Sequence, residues 1–229
     1  MIRVLQNWQE IGDSILTLQR AGLPAHHTAQ KNWDHCLVYE MLAETSRDAM
    51  ILDLGCGEGH TLSLLHSLGF KNVHGVDYGI GWRVRGRQLA AMRRERTIKP
   101  PFYLHRGDIT RTRFSDNSCD IAISISTIEH GVDLDQFLTE VHRILKPGGR
   151  LLITTDYWED KIATNGSALA FGLPWHVFSR DEMKELLSIA STVGFKSLSN
   201  SLIPSCAQKP VRWQNADYTF IAIQLEKTK

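Results

Sequence analysis

The residues best placed to do chemistry are an acid and three glycines that follow a short apolar run. Residues 50–60 read MILDLGCGEGH, with Asp53 before glycines at 55, 57 and 59. Leucines at helical spacing come next, so the pattern predicts a strand, a tight turn and a helix. Glycine accepts positive φ and lets the backbone approach a ligand, and the helix N-terminus points unpaired N–H groups at that ligand. The stretch is therefore the predicted binding turn.

Two further acids follow the next two predicted strands. Asp77 ends residues 73–77, about twenty residues beyond the glycines, and Asp108 follows residues 102–105. A carboxylate accepts both hydroxyl hydrogens of a ribose, so Asp77 suits a bound nucleoside. Two alternatives stay open: Asp77 as a helix N-cap, and Asp108 as the cap of its own turn.

The glycine turn resembles motif I of the class I S-adenosylmethionine-dependent methyltransferases, which has an acid, one spacer and alternating glycines. A nicotinamide-binding turn would instead place its third glycine at position 60, which is His60. The resemblance is close over residues 50–155, including the phrase from Leu134 that ends in Lys-Pro-Gly-Gly and an apolar strand, and loose elsewhere.

The resemblance implies S-adenosylmethionine as cofactor and a site for each of its parts. The methionine portion would lie at the glycine turn, the ribose at Asp77 and the adenine at Asp108. The fourth strand would end at the reaction chamber. The cofactor-binding residues expected on this basis are Asp53, Gly55, Cys56, Gly57, Gly59, Asp77, Tyr78, Asp108, Ile109 and Ser126.

The residues that should contact the methyl acceptor are predicted from their place in the chain and from their residue type. A histidine of ordinary pKa suits proton removal from a hydroxyl or ammonium acceptor, and His130, after the fourth strand, is the first choice and His176 the second. Histidines 26, 27 and 35 remain open, as does a structural role for His130. The predicted acceptor contacts are Trp33, Tyr157, Trp158 and Trp175, with core packing as the alternative for each.

The element order that must position these residues predicts an α/β fold. We expect a Rossmann-like doubly wound seven-stranded sheet, mostly parallel with an antiparallel terminal strand and flanked by helices. Residues 1–229 should form a single methyltransferase domain. Its predicted parts are a helical cap (1–48) whose first helix starts at Val4, a cofactor-binding core (49–155), and a lid loop, helix and terminal β-hairpin (156–229). The segment 204–214 is expected to be a loop.

Composition narrows the possible functions. The chain has 229 residues, a formal net charge of +1 and four cysteines without metal-ligand spacing, so no metal site is predicted. Neither a signal sequence nor a membrane span is evident, which favours a cytoplasmic protein. Six arginines between Trp82 and Arg96 make nucleic acid a conceivable but disfavoured partner at this net charge. The oligomeric state stays open.

The sequence thus predicts methyl transfer to a small-molecule acceptor, a polar metabolite such as a sugar or sugar derivative, through O- or N-methylation. Three alternatives stand beside it: a nucleic-acid methyltransferase, an NAD-dependent oxidoreductase and a catalytically silent cofactor-binding subunit.

Overall fold

A central sheet organises the computed structural model, which describes residues 1–164, 169–170, 172–198 and 202–228. The strands are β1 (Ile2–Val4), β2 (Met50–Leu54), β3 (Asn72–Asp77), β4 (Tyr103–Arg106), β5 (Cys119–Ile125), β6 (Leu145–Tyr157), β7 (Leu169–Ala170), β8 (Leu173–Pro174), β9 (Phe195–Ser197), β10 (Val211–Trp213) and β11 (Ala216–Lys227). The helices are α1 (Trp8–Arg20), α2 (Lys31–Met41), α3 (His60–Ser67), α4 (Trp82–Glu95), α5 (Leu134–Ile144) and α6 (Arg180–Val193).

The strand order places a ligand crevice at β2. The path through the sheet is β1-β11-β6-β5-β2-β3-β4, with β9 and β10 also paired to β11. Strands β2 to β6 pair in parallel, whereas β11 runs antiparallel to every strand it contacts. The chain winds outwards in opposite directions from β2, with β3 on one side and β5 on the other. Ligands bind at the carboxyl ends of strands at such a switch point.

Helices cover both faces of the sheet. Successive residues of a strand point to opposite faces, so each strand can pack against helices on both sides. Ile51 packs in one apolar cluster with residues of α1 to α4, and its neighbour Leu52 in a second cluster with residues of α5 and α6. The same alternation holds at Phe220 and Ile221 of β11. The predicted fold class is therefore confirmed.

The strand count and the start of the first helix were predicted wrongly. The described residues form a nine-stranded sheet rather than a seven-stranded one, because β1 and β10 add to β11. Residues 2–4 extend along β11 and are not helical. Helix α1 begins at Trp8, where the Asn7 side chain accepts a hydrogen bond from the Glu10 amide at 3.1 Å and caps it. Trp8 itself is exposed.

The stretch expected to form a lid, residues 156–178, lies beside the ends of β5 and β6. Residues 165–168 and Phe171 of that stretch are outside the described residues. In the described part, β7 and β8 form a two-residue ladder. The Trp158 amide donates to the Phe178 carbonyl at 2.9 Å, and the Phe178 amide donates to the Asp156 carbonyl at 3.0 Å. No helix among the described residues has the length and apolarity to cross a membrane. The domain boundaries stay a prediction.

Candidate active site

The glycine turn after β2 has the conformation that its sequence predicts. Gly55 and Gly59 have φ of +85° and +78°, in the left-handed region that favours glycine. A Cβ on Gly55 would clash with the Thr127 side chain just beyond β5, and one on Gly59 would lie 2.6 Å from Val84 of α4. A Cβ on Gly57 would meet no described atom within 4 Å. The turn thus packs closely on both sides and is open at its middle glycine.

Asp77, at the end of β3, holds this turn and the next loop together. Its Oδ2 accepts a hydrogen bond from the Gly57 amide at 2.9 Å, and its Oδ1 accepts one from the Gly79 amide at 2.8 Å. The N-cap of α4 is Gly81, so the alternative of Asp77 as a helix N-cap is wrong. A carboxylate offers about four lone-pair directions, which leaves acceptor capacity for a ligand hydroxyl.

Asp53 has a buried carboxyl group, and one of its oxygen atoms accepts no hydrogen bond from the described residues. Only 1% of the residue is exposed, and Oδ2 has no hydrogen-bond partner among the described residues. Burial, and secondarily the charge of Asp77, raise the pKa of Asp53 to about 8. A ligand ammonium group beside this carboxylate would supply the missing donor and stabilise the charged form.

Asp108 lies in the open part of the crevice after β4. Its Oδ1 accepts hydrogen bonds from the amide and the hydroxyl of Thr110 at 2.8 and 2.7 Å, so the self-capped turn exists. Its carboxylate also bonds the Tyr78 hydroxyl, which raises the pKa of that tyrosine. Tyr78 is 59% exposed and Ile109 is buried. A ligand ring would meet an acid and an aromatic side chain here.

Lys31 brings an ammonium group to the end of β5, a position that its place in the sequence does not reveal. Its Nζ donates a hydrogen bond to the Ser126 hydroxyl, lies 3.5 Å from an Asp34 carboxylate oxygen and sits 3.9 Å above the Phe220 ring. Ser126 has φ of +47°, an uncommon conformation for a residue with a side chain that often occurs at functional sites. Of this stretch, only Trp33 was predicted from the sequence to contact the acceptor.

Three buried carboxyl groups surround this lysine at the ends of β5 and β6. Asp34, Glu129 and Asp156 have at most 5% exposure, and burial raises the pKa of each. The Thr155 hydroxyl donates to Glu129 at 2.9 Å, and the Trp175 indole N–H donates to Asp156 at 2.8 Å. The Lys31 ammonium group partly offsets the negative charge that these carboxyl groups carry when they ionise.

The two predicted catalytic histidines lie next to this group. Burial, followed by the charge of Lys31 and then of His176, lowers the pKa of His130 to about 4 despite a backbone hydrogen bond at Pro174. Burial lowers the pKa of His176 as well, and its amide donates to the Glu129 carbonyl at 3.1 Å. Both rings are neutral at pH 7, which a base requires, although a low pKa makes a weaker base.

Of the four predicted acceptor contacts, three are buried. Trp33 and Tyr157 belong to the two apolar clusters, so the packing alternative describes them. Trp175 is 4% exposed and orients Asp156. Trp158 is half-buried, with the Lys209 ammonium 4.3 Å above its ring. Trp158 is thus the one of the four with surface to offer an acceptor.

Comparison with known proteins places this geometry in a family. Residues 52–153 match the family described as "Methyltransferase domain". The chain is 31% identical over 121 residues to a probable S-adenosylmethionine-dependent methyltransferase of Mycolicibacterium smegmatis, covering 53% of this chain and 43% of that protein. It contains a class I S-adenosylmethionine-dependent methyltransferase domain.

Two further similarities extend this methyltransferase assignment. A sterol 24-C-methyltransferase of Aspergillus fumigatus is 27% identical over 172 residues, which cover 73% of this chain and 44% of that enzyme. A solved S-adenosylmethionine-dependent methyltransferase of Methanosarcina mazei superposes with a TM-score of 0.59 at 19% identity, covering 82% of this chain and 97% of the other. The chain spans less than half the length of these two curated relatives. Family and fold class are confirmed, together with S-adenosylmethionine as the family's cofactor.

Proposed function

We propose that this protein transfers the methyl group of S-adenosylmethionine to a small polar acceptor held at the ends of β5 and β6. The bound cofactor supplies an electrophilic methyl group on a sulfonium, and the protein supplies position, charge and exclusion of water. The observation that carries the proposal is the contact of Lys31 with Ser126, because it puts an ammonium group where β5 meets the glycine turn.

The cofactor side fits the residues that line it. The buried Asp53 carboxyl with its unpaired Oδ2 suits the cofactor's ammonium group, and Gly57 leaves the turn open. Asp77 would accept the ribose hydroxyls, and Asp108 with Ile109 would lie against the adenine. Cys56 is buried under the turn with a raised pKa, so its role is packing rather than nucleophilic attack.

The polar acceptor is proposed from the residues beside Ser126. Lys31, Glu129 and Asp156 form a buried polar group, and an apolar acceptor such as a sterol could not form hydrogen bonds with it. A hydroxyl group next to the Lys31 ammonium would ionise more readily, because the positive charge stabilises the developing alkoxide. His130 would accept the proton, with His176 as the second candidate. A sugar or sugar-derived acceptor agrees with this chemistry.

Methylation of a metabolite extract tests the proposal. The extract is incubated with S-adenosylmethionine labelled in its methyl group, and the products are partitioned between water and an organic solvent. Label should enter water-soluble products, and Lys31→Met should lower their formation at least about 100-fold, as loss of an electrostatic stabiliser does. Label that moves to the organic phase would contradict a polar acceptor. Failure to bind S-adenosylmethionine in calorimetry would contradict the methyltransferase function itself.

Two histidine variants separate the candidate bases. Loss of a general base costs about 10² to 10⁴ in kcat with little change in KM. His130→Gln should show that loss, whereas His176→Gln should mainly raise KM. Equal kcat in His130→Gln and the parent protein would remove His130 from the mechanism, and the pH profile of His176→Gln would then decide the second candidate.

A further inference from the structure

Three histidines from two distant segments meet beside the glycine turn. His26 and His27 belong to the segment between α1 and α2, and His60 is the first residue of α3. Their ring centroids are 4.5 Å apart for His26 and His27, 4.1 Å for His26 and His60, and 4.9 Å for His27 and His60. We refer to these three residues as the histidine cluster.

The cluster has nearly the dimensions of a metal site. One ligand nitrogen from each residue lies within 4.8 Å of the other two. Nitrogens bound to Zn²⁺ at 2.0–2.1 Å in tetrahedral geometry lie about 3.4 Å apart. Side-chain rotations that move the ring nitrogens by roughly 1 Å would therefore bring all three within bonding distance of one ion. His27 is exposed, so an ion can reach the cluster from solvent.

A carboxylate group also lies beside the cluster. A metal ion binds the neutral form of imidazole. A Glu58 carboxylate oxygen lies 3.7 Å from His60 Nε2. Carboxylates are common fourth ligands of zinc, so Glu58, which is also paired with Arg83, offers one further ligand atom.

Hydrogen bonds now occupy two of the ring nitrogens. The Thr28 amide donates to His26 Nδ1 at 3.0 Å, and an Arg87 guanidinium N–H donates to His60 Nε2 at 2.7 Å. Guanidinium only donates, so the His60 lone pair points at a positive charge. Arg87 thus stands where a metal ion would bind, and an ion must displace it from His60.

We propose that His26, His27 and His60 bind one divalent transition-metal ion, with Zn²⁺ as the common occupant of such a ligand set. The ion would fasten the segment that precedes α2 to the start of α3. Glu58 and His60 flank Gly59, so the ion would also fix the glycine turn. Its role is structural, and it is separate from the acceptor chamber at Ser126. Metal removal would then loosen the segment that carries Lys31.

Titration calorimetry of the purified chain with Zn²⁺, after removal of metal by a chelator, tests this assignment. The parent protein should bind one equivalent of Zn²⁺ with a Kd below about 100 µM. His27→Gln should weaken this binding more than about 100-fold, which exceeds the loss expected from a residue that does not itself bind the ion. His27 is the ligand of choice for substitution because its exposed ring contributes least to the core. Circular dichroism would verify that the variant folds.

Two further variants make the test specific. His66→Gln, on the same helix α3 but paired with Glu95, is the matched control and should bind Zn²⁺ as the parent does. Arg87→Gln should bind more tightly, at least about threefold, because it removes the competing charge. Weaker or absent parent binding, equal affinity in His27→Gln, a comparable loss in His66→Gln, or weaker binding in Arg87→Gln would each overturn the proposal.

Discussion

The buried Asp53 carboxyl group predicts a pH dependence of stability that one substitution should remove. Its pKa of about 8 in the folded chain exceeds the ordinary value of 3.8 by about four units, which corresponds to about 5 kcal/mol at 1.36 kcal/mol per unit. Structural relaxation around the charge lowers this figure, so we expect about 2–5 kcal/mol. Asp53→Asn keeps the shape of the side chain and removes the titration.

The sign follows from which state holds the proton. Below pH 4 the carboxyl group is protonated in both states, and between pH 4 and 8 only the folded chain retains the proton. The free energy of unfolding of the cofactor-free parent therefore falls as pH rises through this window and levels off above pH 8. Asp53→Asn should lack that decrease, so its stability relative to the parent should rise between pH 5 and pH 8.5.

Urea unfolding at pH 5, 7 and 8.5 measures this difference, with the exposed Asp160→Asn as control. Taking the difference between each variant and its parent cancels the other titrating groups. Calorimetry with S-adenosylmethionine should show at least about tenfold weaker binding to Asp53→Asn, because the ammonium partner is lost. Parallel pH curves for parent and Asp53→Asn, or unchanged affinity, would refute the reasoning from burial.

Three other substitutions test particular contacts of the site and the fold. Asp77→Ala removes the acceptor of the Gly57 and Gly79 amides together with the expected ribose contact. It should weaken S-adenosylmethionine binding about 10- to 100-fold in calorimetry, and unchanged affinity would contradict this prediction. Gly55→Ala should lower the free energy of unfolding by about 1–3 kcal/mol in urea titrations, because the new Cβ meets Thr127 at positive φ; parent-like stability would show that the turn can adjust. Ser179→Ala removes the capping box of α6 and should cost about 1 kcal/mol in the same assay, with no change in cofactor affinity.

The cofactor side could be predicted because its signals are local in sequence. The glycine turn follows one apolar run, and an acid follows each of the next two predicted strands. In a parallel sheet the ends of these strands lie side by side, so the pattern alone brings these residues together. The structure adds what spacing cannot give: Asp53 is buried beside Asp77, and Asp77 bonds the glycine turn directly. The wrong start of α1 had a readable signal, since Asn7 stands three residues before Glu10, as a cap does.

The acceptor side could not be predicted because it is assembled from distant segments. Lys31 and Ser126 are 95 residues apart, and their contact depends on the first residue of α2 lying beside the end of β5. In the sequence, His60 differs from the nicotinamide-binding pattern and carries no other signal. In the folded chain it meets His26 and His27, which had been considered separately as bases.

Buried ionisable groups also connect the cap to the sheet. Lys31 and Asp34 are both on α2, whereas Glu129 follows β5 and Asp156 is on β6, so separating the cap from the sheet would remove the Lys31 ammonium from Glu129 and Asp156. An unpaired buried charge costs several kcal/mol, more than an apolar contact of the same area contributes. The pairing of β1 with β11 ties the same cap to the strand next to β6. A cap held in this way positions the Lys31 ammonium at Ser126 before any acceptor arrives, and electrostatic stabilisation of an acceptor requires that preorganisation.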